Sequence, residues 1–192
     1  GIRPTHNFLD FATFVAFFPQ LVAGPIERAS NLLGQITNKR SFKYEQAVEG
    51  LKLILWGLFK KMVIADGIAP MVDDIFANFD TMPASTLVLG VSLFSFQVYG
   101  DFSGYSDIAI GTAKLFGIEL MSNFKFPNFS RNVAEYWQRW HISLSTWFRH
   151  YLYIPLGGSR VSRSKAIRNL SILFFFLFFF PFSPFPFLFF FF

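Results

Sequence analysis

The sequence predicts an all-α, polytopic integral membrane protein with amphipathic helices at the membrane interface, and three observations carry that prediction. Only 15% of its 192 residues are charged and 53% are hydrophobic, whereas a water-soluble surface usually needs about 25% charged residues. Residues 84–100, ASTLVLGVSLFSFQVYG, pass without a formal charge. Residues 135–153 set Trp, Tyr and Leu at the spacing of one helix face.

The elements follow in chain order. Residues 8–24, FLDFATFVAFFPQLVAG, are apolar apart from Asp10 and Gln20, and are expected to form most of a membrane span broken at Pro19. A charge at mid-bilayer costs about 2.5 to 3.5 kcal/mol, so Asp10 belongs near an end or against protein. A polar, basic connection follows. Residues 47–66 read as a helix with Leu51, Leu55, Leu58 and Met62 on one stripe, and Lys60 and Lys61 reaching water at the interface. Pro83 suits the start of the 84–100 span, since proline is tolerated in a first helical turn. The spacing over 135–153 predicts one continuous helix. Trp137, Trp140, His141, Leu144, Trp147, Phe148, Tyr151 and Leu152 would share its apolar face, with Glu135, Arg139, Ser143, Thr146 and His150 opposite. Pro155 and the pair Gly157 and Gly158 then predict a turn. Residues 171–192 form a Phe-rich, low-complexity tail, and so monotonous a run specifies little packing.

Charge and composition exclude several functions. The formal net charge is +5, yet the basic residues lie in short patches between apolar runs. Arg160, Arg163, Lys165 and Arg168 occupy residues 158–168 without an acid, the usual mark of a cytoplasmic membrane flank and not of nucleic-acid binding. Cysteine is absent, which removes disulfides, thiol nucleophiles and Cys-ligated metals. The histidines His6, His141 and His150 are too scattered for a metal site. The first residue is not Met, so the chain is expected to be a piece of a longer protein.

Two groups of residues remain for chemistry. Asp101 and Asp107, among small and apolar residues, either cap helices in the interfacial layer or orient a site at the mouth of a membrane cavity. His141, on an aromatic face, is either a packed structural imidazole or a base kept near neutrality, able to take a proton from an attacking hydroxyl. Periodicity does not choose between them.

Four ordered phrases do. FFPQLVAGPIERAS at 17–30, ILWGLFKKMVIAD at 54–66, FSFQVYGDFSGYSDIAIGTAKLFGIELMSNF at 94–124 and WQRWHISLSTWFRHYLYIPLGGSR at 137–160 resemble the membrane-bound O-acyltransferases of the alginate O-acetyltransferase-like branch. The resemblance implies that residues 1–170 are part of a helical funnel through the bacterial cytoplasmic (inner) membrane. It implies transfer of an acetyl group from a cytoplasmic donor, acetyl-CoA, to an exported polysaccharide such as alginate. It also implies periplasmic or extracellular acetylation partners, with no nucleic acid, bound cofactor or metal. His141 matches the catalytic His of RWHISLS, as base or relay, while Asp101, Ser103, Tyr105, Asp107, Arg139 and Trp140 match supporting positions. Two departures stand out: His150 replaces an acidic residue, and NLSILFFFLFFFPFSPFPF lacks the second His that the family carries in a Leu-Trp-His-Gly context. An inactive remnant or non-catalytic scaffold is therefore the alternative expectation.

Overall fold

The computed structural model describes residues 7–179, so His6 and residues 180–192 of the Phe-rich tail lie outside the described residues. Helices and turns account for the regular structure, with no strand among the described residues. The chain divides into two compact units after Ser122.

The first unit begins with α1 (Phe8–Val15), started by the Asn7 side chain, which accepts from the Leu9 amide. Asp10 stands in its first turn. The expected span over 8–24 is not one helix. α1 ends at Val15, and after the extended Phe17 the chain makes a separate 3₁₀ turn, Phe18–Gln20, with Pro19 in its first positions, where the missing amide costs no helical bond. Then come α2 (Ala29–Thr37), α3 (Tyr44–Leu58), a π-helical segment (Phe59–Ala65), α4 (Asp66–Ala77) and α5 (Ala84–Leu115).

Pro83 takes the cap position of α5, as expected. At the other end Gly117, at φ 73°, closes the helix: its amide donates to the Lys114 carbonyl and the Ile118 amide to that of Ala113, each at 3.0 Å. That is the Schellman arrangement, which a residue with a Cβ makes only under strain. The uncharged run 84–100 is thus the first half of a longer helix whose second half carries Asp101, Asp107 and Lys114. Among the described residues, no helix is long and apolar enough to cross a membrane.

α3 and α5 pack antiparallel through glycines. A Cβ at Gly57 would lie 2.5 Å from the Gly104 carbonyl oxygen, and one at Gly50 would lie 2.6 Å from that of Gly111. No side chain fits there, so the backbones touch, the contact that apolar surroundings favour between helices. Leu51, Leu55, Leu58 and Met62, the expected stripe, are 57%, 70%, 40% and 63% exposed. A small core of Phe17, Leu32, Ile110, Ala113, Ile118 and Leu120 joins α2 to the end of α5.

The second unit holds α6 (Val133–Arg139), α7 (Ile142–Phe148), a π-helical segment (Arg149–Tyr153) and α8 (Arg163–Phe179). The turn expected after Pro155 is present, with Gly157 at φ 98° and Gly158 at φ 54°. Asn169 of α8, fully buried, donates to the Leu156 carbonyl at 2.9 Å and so pins that turn.

Candidate active site

The single helix expected over 135–153 is two helices, and the break falls on His141. Trp140 is extended, and His141 lies in the left-handed region at φ 43° and ψ 57° before α7 begins. A residue with a side chain pays about 1 to 3 kcal/mol for such backbone, and it persists only where the surroundings over-determine it.

Those surroundings are visible. The Lys125 amide donates to the Arg139 carbonyl at 2.9 Å, and the Ile142 amide donates to the Asn123 carbonyl at 3.0 Å. The Asn123 side-chain oxygen then accepts from the Ser143 amide at 3.2 Å and from the Ser143 hydroxyl at 2.6 Å. Asn123, remote in sequence, thereby caps α7 in place of a local residue, and backbone groups that a continuous helix would use are committed elsewhere. Ser143, expected on the polar face, is buried for this reason.

Aromatic rings hold the other side of the break. Trp140 stacks on Tyr136 with centroids 5.6 Å apart and meets Phe124 edge-on at 4.9 Å. α6 is started by Asn132, which accepts from the Glu135 amide at 2.8 Å, while Glu135 accepts in turn from the Arg131 amide. Glu135 also pairs with Arg139 and Arg131. The Arg131 amide and then its guanidinium hold the Glu135 carboxyl below its usual range. Arg139 is therefore tied along its own helix.

His141 itself is half-buried. Burial pulls its imidazole down from 6.5 to about 4, so it is neutral at physiological pH and can accept a proton. His150 lies elsewhere, exposed on the π segment with Nδ1 2.7 Å from the Thr146 carbonyl.

The aspartates and Ser103 belong to the first unit and form a cluster of their own. Neither Asp101 nor Asp107 caps a helix, since both sit within α5. Asp107 pairs with Lys60 at 2.7 Å, and Lys60 also donates to Ser103 at 3.0 Å and lies 5.9 Å over the Tyr99 ring. Lys60 was expected to reach water, yet its side chain is only 8% exposed. Its neighbour Lys61 does face outward, bridging Asp66 at 2.7 Å and Asp101 at 2.8 Å. Tyr105 is half-buried on α5. The π segment turns adjacent lysines to different carboxylates, Lys60 to Asp107 inside and Lys61 to Asp66 and Asp101 outside. Lys60 and Asn123 are the residues that sequence reasoning missed. Both lie in the quoted phrases, but nothing local marks their partners.

Among the described residues, no group of three His, Cys, Asp or Glu is placed to hold a metal ion.

Comparison with known proteins bears on these features. Residues 2–189 match the profile of MBOAT, the membrane-bound O-acyltransferase family. The chain is 46% identical over 166 residues to a probable alginate O-acetylase of Azotobacter vinelandii, covering 86% of this chain and 33% of the relative. It is 44% identical over 170 residues to a peptidoglycan O-acetyltransferase of Helicobacter pylori, covering 88% of this chain and 32% of the relative. A teichoic acid D-alanyltransferase of Bacillus subtilis is 31% identical over 161 residues, covering 79% of this chain and 38% of the relative. The chain thus spans about a third of the length of these curated relatives.

Proposed function

The chain belongs to the membrane-bound O-acyltransferase family, and from that premise we propose that it supplies the catalytic histidine of an enzyme that acetylates an exported polysaccharide. The donor is acetyl-CoA on the cytoplasmic side, and the acceptor is a hydroxyl of a polymer such as alginate. The observation that carries the reading is His141, an imidazole kept neutral by burial and set at a strained break between two helices.

The chemistry follows from that placement. As the acceptor hydroxyl attacks the thioester carbonyl, a C–O bond forms and the hydroxyl proton moves to the His141 imidazole. The C–S bond then breaks, and the proton passes to the departing thiolate. Trp140, locked between Tyr136 and Phe124, limits how the adjacent imidazole can swing. Arg139, held by Glu135, keeps α6 in register behind it. Asp101 and Asp107 help shape the donor entrance in this reading, with Lys61 and Lys60 fixing their carboxylates; Ser103 and Tyr105 are supporting positions of the same motif.

The membrane setting is supported by the outward apolar faces. Leu51, Leu55, Trp56 and Met62 with Val88, Val91, Phe94 and Phe96 are exposed, a surface suited to lipid and costly in water. We place the chain in the bacterial inner membrane, multi-pass with the rest of its protein, and with residues 158–168 cytoplasmic. Presenting an exported polymer's hydroxyl to the site calls for partner proteins outside.

A chimera tests the function: this chain replaces the matching 166-residue segment of the Azotobacter vinelandii relative. The chimera should O-acetylate alginate, and the same chimera with His141→Ala should not, at equal membrane content. Acetylation retained in His141→Ala rejects the role of His141. One observation favours an inactive scaffold instead, namely that the run NLSILFFFLFFFPFSPFPF stands where the resembled family carries its second His. A chimera that inserts normally yet never acetylates would select that reading.

A further inference from the structure

We propose that a recess at the loop end of the first unit binds the phosphate headgroup of an anionic phospholipid. The recess, of about 180 Å³, lies where residues 40–43 meet the start of α3 and the closed end of α5. Arg40, Lys43 and Lys114 line it, and no carboxylate does. Its other wall is apolar, formed by Phe42, Leu115 and Phe116.

Each cation is placed differently. Arg40 donates through Nη1 to the Gln35 and Ile36 carbonyls at the end of α2, which orients the guanidinium while the rest of its fork makes no protein bond among the described residues. Lys43 has no ion pair among the described residues. Lys114 is shared with Glu49 at 3.0 Å and Glu119 at 3.2 Å, so its charge is partly spoken for. Arg40 and Lys43 are therefore the groups open to an anion.

The neighbouring wall decides which anion. Phe42 is 78% exposed and Phe116 52%, and Tyr44 beside them is also exposed. Rings next to cations suit an amphiphile whose phosphate adjoins hydrocarbon; free phosphate gains nothing from the rings. An adjoining cleft of about 470 Å³ shares Arg40 and Lys43 with the recess, but there Lys39 is joined by Glu45, Glu49 and Glu119, so the carboxylates offset the cations and leave no net positive charge. The small recess is the one with matching charge.

The proposal rests on the membrane placement above, and the test separates the two. The whole chain, extracted in mild detergent, is titrated with phosphatidylglycerol, phosphatidylcholine or inorganic phosphate, and retained lipid is read by native mass spectrometry. Phosphatidylglycerol should be retained over phosphatidylcholine. Lys43→Gln should weaken it about fivefold, the effect expected of one cation at an anionic leaflet, and Arg40→Gln with Lys43→Gln should weaken it further. Arg40→Gln can loosen α2, so Lys43→Gln, whose side chain holds nothing else, is the deciding variant. Equal retention by Lys43→Gln and the unaltered chain, or displacement by inorganic phosphate at equal concentration, overturns the proposal. Carbonate washing of membranes checks the placement separately. Release of the chain sinks the membrane reading, whereas retention with an unchanged Lys43→Gln sinks only the recess.

Discussion

At His141 two unfavourable features coincide, a left-handed backbone and an imidazole drawn partly out of water. Left-handed backbone at a non-glycine residue is worth keeping where position matters more than stability. The depressed imidazole has a pH signature. Between 6.5 and about 4 an unfolded His binds a proton that the folded one refuses. Its contribution to stability is therefore complete above 6.5 and is lost as pH falls toward 4. In the acetylating chimera the acid limb of kcat/KM should fall near pH 4 to 5; a limb at 6.5 would show an ordinary, solvated imidazole. Asn123 makes a second expectation at this scale. Asn123→Ala leaves the buried Ser143 amide and hydroxyl without their acceptor, at a cost of about 1 to 3 kcal/mol. Thermal unfolding of the chimera should start several degrees lower and acetylation should drop with it. An unchanged melting curve would mean that the α7 cap lies elsewhere.

Between elements, the first unit is organised by the seam of α3 and α5. Glycines let the backbones touch, and the π segment that follows α3 delivers Lys60 inward and Lys61 outward. π turns are rare and recur at functional positions, because the extra residue per turn re-aims the side chains that follow. Lys60 and Asp107 form the pair on which this seam is most sensitive. Asp107→Ala strands a buried ammonium and should cost about 3 to 5 kcal/mol, measured as loss of helicity in a denaturing-detergent titration. Lys60→Met combined with Asp107→Ala should recover most of that loss. Asp66→Ala, which leaves the exposed Lys61 still paired with Asp101, should cost no more than about 1 kcal/mol. Equal losses from Asp66→Ala and Asp107→Ala would contradict the inward placement of Lys60.

For the whole molecule the exposed apolar faces set the expectation. Expressed as residues 1–192, the chain should sediment with membranes and resist carbonate extraction, since Leu55, Met62 and Val88 on α3, its π segment and α5 are largely exposed. Substituting Leu55, Met62 and Val88 together by Ser should shift part of it to the soluble fraction; no shift would mean that these faces do not meet lipid.

The sequence by itself determined the helical class, the family and the turn at Gly157 and Gly158, because hydrophobic spacing, ordered motifs and glycine punctuation are all local signals. It also located the start of α5 at Pro83 and singled out His141. Only the tertiary structure decided that the aromatic helix breaks at Trp140 and His141 and that Lys60 turns inward. Each of those outcomes depends on a partner far along the chain. Asn123 offers the α7 amides better acceptors than a continuous helix would, and Asp107 gives a lysine a reason to leave water. Periodicity records which residues could share a face, but a hydrogen bond across twenty positions or an ion pair across forty-seven leaves no mark on the local pattern.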